Sequence, residues 1–408
     1  MAAVGDLPTA KTSFLPTVLS AFSGAGGMDL GLEAAGFRHI GLIENNDLCR
    51  QTLALNRPAW PTSQWSDIHN AALGCKPRNF GLKRGDLDLL AGAPPCQPFS
   101  TAAQWSSSSR RGICDERADT VTSFLKLVAS FLPKVVMIEN VPSFWKSAVG
   151  AESIVREFFG DLASKEIYYQ IEARVLNAAD YGVPQVRKRV IIIAWRTSGA
   201  LKWPTGRFTA EPFTCWDALS GVVPEDVPQA RGKWTRLLPS IPEGLNYLWH
   251  TNRGQGRELF GYRTKFWSFL LKLAKDRPAW TLAAQPGPGT GPFHWDNRPL
   301  ATEEMLAIQT FPSDWKLVGS YRDQVKMIGN ATPPLLAEEL GRAVRMSIFG
   351  HSLPRRLTYL PQRADRPAPS TRIQNVPEDF LPNEKRHAAH PGKGKGPKPR
   401  MAFLDSSR

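Results

Sequence analysis

Short apolar runs separated by amphipathic stretches set the rhythm of the first half of the chain. "TVLSAF" (17–22), "HIGLIEN" (39–45), "LDLLAGAPP" (87–95), "KVVMIENV" (134–141) and "RVIIIAW" (189–195) each have the length and content of one buried strand. "SQWSDI" (63–68) reads as a weaker strand, and "IYYQIEARVLNA" (167–178) belongs to the same series. Between them, "SGAGGMDLGLEAAGF" predicts a glycine-rich turn and a helix, while "DLCRQTLALN" and "VTSFLKLVASFL" predict two further helices. Strands alternating with helices imply an α/β fold, a doubly wound parallel sheet that binds its ligands at the carboxyl ends of the strands. Beyond Trp195 the alternation is lost. Residues up to about 297 are rich in Pro, Gly, Trp and Arg and imply a smaller, loop-rich domain. Regularity returns with "EEMLAIQ" and with "PPLLAEELGRAVRMSIF" (333–349), a helix opened by proline.

Composition adds a partner class. The 408 residues carry a formal charge of +14, which points to a polyanion such as nucleic acid or to a basic solvated surface. Residues 352–408 hold 12 Lys and Arg against 5 Asp and Glu, half of that surplus. With their prolines and "GKGKGPKPR" they read as a disordered basic tail. No apolar run is long enough to span a bilayer and no secretory signal is visible, so the expectation is a cytoplasmic protein. Five cysteines without C-x-x-C spacing indicate neither a disulfide framework nor a zinc site. No metal is expected.

Chemistry is concentrated at the strand ends. Gly24, Gly26 and Gly27 form a strand-to-helix turn that lets a ligand approach the backbone, although the spacing is not G-x-G-x-x-G. Glu44 follows the second strand, where an acid accepts bonds from ribose hydroxyls, and Asp67 closes the third. Either acid alone reads first as a cap of the helix after it; together, after a glycine turn, they favour a nucleoside-bearing cofactor. Cys96 sits in "GAPPCQPFS", its direction set by prolines, as suits a thiolate nucleophile. Glu139 ends the most apolar strand, either as an acid or as a buried partner of an arginine. Arg187 and Arg189 of "QVRKRV" share a strand face, placed to pair with Glu139, orient a base or contact phosphate.

In this order "FSGAGGMDLG", Glu44, Asp67, "GAPPCQPFS", "ENV", "QVRKRV" and "GNATPP" (329–334) closely resemble the DNA cytosine-5 methyltransferases, over about residues 17–345. The resemblance implies a Rossmann-like catalytic domain (1–196 plus 323–349), an inserted target-recognition domain (197–322) and a tail (350–408). It implies S-adenosyl-L-methionine as cofactor, held by Phe22, Gly24, Gly26, Glu44, Asp67, Ile68, Pro94 and Asn330. Cys96, Glu139, Arg187 and Arg189 would be catalytic, with the Cys96 thiolate attacking C6 of a flipped cytosine. Pro95, Gln97 and Ser100, on a loop (100–112) that closes on DNA, and Arg253, Arg257 and Arg263 of "RGQGRELFGYRTKFW" would meet double-stranded DNA. Asn45, Thr120 and Thr332 stand where the family usually has a hydrophobic residue, leucine and valine. The implied protein is a monomer, bound to the nucleoid through its DNA and paired or not with a restriction endonuclease. Two rivals are a transfer-RNA methyltransferase of the same architecture, whose usual signature is absent from "PFTCW", and a catalytically silent DNA-binding repressor.

Overall fold

The structure, a computed structural model, describes residues 15–95, 118–146, 151–262 and 266–385. Its centre is a six-stranded sheet. β1 (Thr17–Ala21) is buried throughout and pairs in parallel with β2 (Arg38–Ile43) on one side and β3 (Leu89–Gly92) on the other. β4 (Val135–Asn140) continues in parallel from β3. The chain thus steps outward from β1 in both directions, and the crevice opens where it does so.

Helices clothe both faces. α1 (Gly27–Ala34) follows β1, α2 (Asp47–Asn56) follows β2, and α3 (Ile68–Gly74) precedes β3. α4 (Ala118–Phe131) returns the chain to β4, followed by α5 (Pro142–Lys146) and α6 (Glu152–Ala163). "SQWSDI" forms no strand. Thr62 makes a single bridge to Leu42, and the Asp67 carboxylate then caps α3. Three of its residues, Gln64, Ser66 and Asp67, have polar side chains that face at least partly outward, so local capping outweighs pairing.

The expectation of a parallel sheet fails at one edge. β5 (Gln170–Asn177) and β7 (Lys188–Trp195) run antiparallel to each other, and β7 also runs antiparallel to β4, giving the order β2-β1-β3-β4-β7-β5. The cause is the length of the connection. Between Asn177 and Lys188 the chain has room only for a short 3-10 turn and a two-residue strand, β6 (Gln185–Val186), too little for a parallel crossover.

β6 pairs instead with β8 (Ala279–Trp280), nearly a hundred residues further along the chain. The stretch 197–297 is loop-rich, as its composition predicts. α7 (Cys215–Leu219) and several 3-10 turns are its main helical pieces among the described residues. α8 (Thr302–Ile308), α9 (Tyr321–Asn330) and α10 (Pro334–Ser347) bring the chain back. Leu306, Ile308, Phe311 and Trp315 share a core with Ala25, Leu30 and Leu53 of the first βα units. α1 and α10 approach closely because glycines face the contact. A Cβ on Gly31 would lie 2.4 Å from the Pro334 carbonyl oxygen.

The chain after α10 departs from the expectation of a disordered tail. Residues 350–385 are anchored at points: Leu357 is buried beside the six-stranded sheet and Phe380 is fully buried among residues 237–293. Their prolines and charges resemble those of a disordered segment, but two short apolar points hold them: Leu357, with Tyr359 and Leu360 partly buried beside it, and Phe380. Residues 386–408 lie outside the described residues. No helix among the described residues is long and apolar enough to cross a membrane.

Candidate active site

The crevice begins at the turn after β1. Phe22 (φ 58°), Gly24 (φ 54°) and Gly26 (φ 84°) all adopt the left-handed region, so the chain reverses sharply before α1. A Cβ on Gly24 would meet nothing nearer than the Phe22 carbonyl oxygen at 4.0 Å, leaving open space above the turn. Gly27 has a different duty. A Cβ there would lie 2.1 Å from the Thr332 carbonyl oxygen, so this glycine lets the "GNATPP" loop rest on the start of α1.

Glu44 is buried at the end of β2 and ties the turn to the next helix. Its Oε2 accepts from the Gly24 amide and its Oε1 from the Asn46 amide, each at 2.8 Å. Burial raises its pKa above the usual carboxylate value, and the two amide bonds oppose that rise. One bond per oxygen leaves lone pairs for hydroxyl donors. Asp67 caps α3 by accepting from His69 and Asn70 through Oδ1 alone. Ile68 is buried behind it. An open glycine turn beside a buried carboxylate with acceptor capacity to spare fits a nucleoside-bearing cofactor. Asn330 is exposed at the last residue of α9, and Asn45 is exposed beside Glu44.

At the end of β4, two neighbouring side chains do separate work. Asn140 donates from Nδ2 to the Pro94 carbonyl at 2.9 Å and accepts from the Val141 amide, fixing the backbone that leads into "PPC". Glu139 is 5 % exposed, and its Oε1 lies 3.0 Å from Arg189 Nε, an ion pair whose N–H is not aligned for a hydrogen bond. The antiparallel register explains the pairing. Glu139 faces Ile191, so Arg189, two residues earlier on β7, is its diagonal neighbour on the same face.

Arg187 does not join that pair. The chain breaks between β6 and β7 at this residue, and its guanidinium donates to the carbonyls of Gly329 and Ala331 at 3.0 and 2.8 Å. Gln185 takes a third direction: it accepts from the Leu282 amide and donates to Gln309, which in turn donates to the Ile328 carbonyl. The single stretch "QVRKR" thus binds the inserted domain, the end of α9 and Glu139. Replacing Arg187 by methionine should leave two buried carbonyls without their donor and cost about 3 kcal/mol of unfolding free energy in urea titration. The exposed Lys188→Met variant is the control.

Pro94 is buried and Pro95 exposed. Cys96, Gln97, Ser100 and the expected closing loop lie outside the described residues, as does Arg263. On the inserted domain, exposed Arg253 stacks on Tyr262 with 3.4 Å between guanidinium carbon and ring centroid, and Arg257 pairs with Glu384 at 3.1 Å. Asn140, Gln185 and Gln309 were not singled out in the sequence. The first two lie inside motifs that were noted for other residues; Gln309 carries no local signal.

A model of the C-5 cytosine-specific DNA methylases matches residues 17–345. The chain belongs to the C-5 cytosine-specific DNA methylases. It is 34% identical over 388 residues to the Type II methyltransferase M.SacI of Streptomyces achromogenes, covering 85% of this chain and 96% of that protein. It is 33% identical to the Type II methyltransferase M.PspPI of a Psychrobacter species, covering 80% and 78%. In fold it is similar to the Entamoeba histolytica methyltransferase EhMeth (TM-score 0.55, 18% identity, covering 82% of this chain and 98% of that one). Within this DNA methylase the described thiols are unsuited to nucleophilic work. Burial pushes Cys49 and Cys75 up to about 12 and raises Cys215 as well.

Proposed function

We propose that this DNA methylase transfers a methyl group to C5 of a cytosine flipped out of a specific duplex sequence, through a covalent bond from Cys96 to C6. The observation that carries this reading is the joint at the end of β4, where Asn140 holds the Pro94 carbonyl and the preceding residue, Glu139, pairs with Arg189. S-adenosyl-L-methionine, held by the turn from Phe22 to Gly26 with Glu44, Asp67, Ile68 and Pro94 around it, supplies an activated methyl group when bound. Asn330 is assigned to the same pocket.

Cytosine C5 is a poor nucleophile inside an aromatic ring. The Cys96 thiolate adds to C6, forming an S–C6 bond, and the electron pair of the C5=C6 bond moves into the ring. Glu139 faces the N3 edge and relieves the charge that gathers there, steadied by Arg189 on the O2 side. C5 becomes enamine-like and is methylated. Loss of its proton then returns an electron pair to the ring, the S–C6 bond breaks and the thiolate leaves. A stacked base cannot be reached this way, so extrusion costs a few kcal/mol first. Arg187 acts at a distance, by holding the end of α9. Arg253, Arg257 and Arg263 serve the phosphates or base edges of the target, and Pro95, Gln97 and Ser100 the flipped nucleotide.

The curated relatives are Type II methyltransferases by name, and we assign this chain the same setting, with a restriction nuclease reading the same sequence. The test is duplex DNA of mixed sequence carrying 5-fluorocytosine, incubated with the methyl donor. Fluorine at C5 cannot leave as a proton does, so the protein should be captured as a complex stable to detergent. Wild-type protein that methylates ordinary DNA yet forms no such complex would overturn the covalent route.

A further inference from the structure

Residues 350–385 lie beyond the family match yet run through three packed regions in turn. They begin on α10. The buried Glu338 carboxylate accepts from the amides of Thr358 and Tyr359, at 2.9 and 3.1 Å, and Leu357 is buried in the catalytic core. They cross next to the root of the inserted domain. The Arg363 guanidinium lies 3.9 Å from the Phe213 ring centroid and donates to the Pro212 carbonyl, while the Ala364 amide donates to Asp217. They finish in the far lobe. Arg236 grips Asp379 through two bonds of 2.7 and 3.0 Å, and Phe380 is fully buried against Trp234. The last described residues flank the candidate DNA-binding stretch: the Lys385 amide donates to the Glu258 carbonyl, and Glu384 pairs with Arg257.

That far lobe has little frame of its own. Its core is built from residues 237–293 with Phe380 inserted among them, and among the described residues its regular structure is limited to 3-10 turns, the two-residue β8 and two isolated bridges. Few backbone ladders resist a shift of such a lobe, so a side chain that fills its core and is tethered elsewhere decides where it sits. We propose that residues 350–385 are a positioning strap that sets the far lobe, and with it Arg253 and Tyr262, against the catalytic crevice for productive DNA binding. Its residues touch neither cofactor nor target base; they act through the lobe. The inference rests on DNA being the substrate, as assigned above.

Full-length variants test it, using unmethylated plasmid DNA of mixed sequence and radiolabelled methyl donor. Phe380→Ala should raise the KM for DNA on the order of tenfold, with kcat within about twofold and cofactor affinity by calorimetry unchanged. Because Phe380→Ala removes buried mass, the exposed ion pair supplies a second arm. Arg236→Asp and Asp379→Arg should each raise the KM for DNA about threefold, and the double reversal should restore it. A KM for DNA unmoved in all variants, while wild type methylates the plasmid, would overturn the strap alone. So would kcat, KM and cofactor affinity deteriorating together with the melting temperature, or a double reversal no better than the singles. A wild-type protein that methylates no cytosine would overturn the activity assignment and the strap with it.

Discussion

Cys96→Ala is expected to abolish methyl transfer to DNA, with a loss on the order of 10⁴-fold or more, because the proposed route forms its bond to C6 through the Cys96 thiolate. The physical case is one of exclusion and placement. Cys49, Cys75 and Cys215 are buried, and burial keeps their thiols protonated at neutral pH. Two residues before Cys96, the Pro94 carbonyl is pinned by Asn140. Tritium transfer to plasmid DNA measures the loss. DNA affinity in a gel-shift assay should survive, since alanine removes no charge and no phosphate contact. Activity within about a hundredfold of wild type would exclude a covalent route.

Glu139→Gln should cost about 10²- to 10³-fold in kcat, the second largest effect. Glutamine keeps the shape of the side chain but cannot carry the carboxylate charge. Arg189 then loses its ion partner inside a site where both side chains are mostly buried, and part of the cost is that unpaired charge. Arg189→Lys should fall less, by about tenfold, because an ammonium keeps the charge but not the planar fork. Single-turnover kinetics on a saturating plasmid separates the chemical step from DNA binding. Equal kcat values for Glu139→Gln and wild type would remove Glu139 from the chemistry and leave it a structural ion pair.

Much of the fold was legible in the chain. The strands at 17–21, 38–43, 89–92 and 135–140 form where short apolar runs lie, and the turn at Gly24–Gly26 adopts the positive φ values that glycine permits. Pro334 opens α10 as its position implied. The misreadings have specific causes. "SQWSDI" alternates weakly enough to resemble a strand, but Asp67 has a helix to cap. Arg187 and Arg189 share strand spacing, yet the chain changes sheets between them, so one reaches Glu139 and the other the end of α9. The tail reads as disordered because its apolar residues are few; Leu357, Tyr359 and Leu360 meet one core and Phe380 another, and neither core is visible from the tail itself.

Local order therefore belonged to the sequence: which runs are strands, where the glycines bend the chain, and the succession of motifs that marks the family. These are decided by φ preferences, by apolar periodicity and by neighbours a few residues apart, and all of that is written along the chain. The diagonal pairing of Glu139 with Arg189, the three destinations of Gln185, Arg187 and Arg189, and the course of residues 350–385 are set by partners tens to hundreds of residues distant. Only a closed chain brings those partners within bonding distance, because the energy of a hydrogen bond or a packed ring depends on separations that no local pattern encodes.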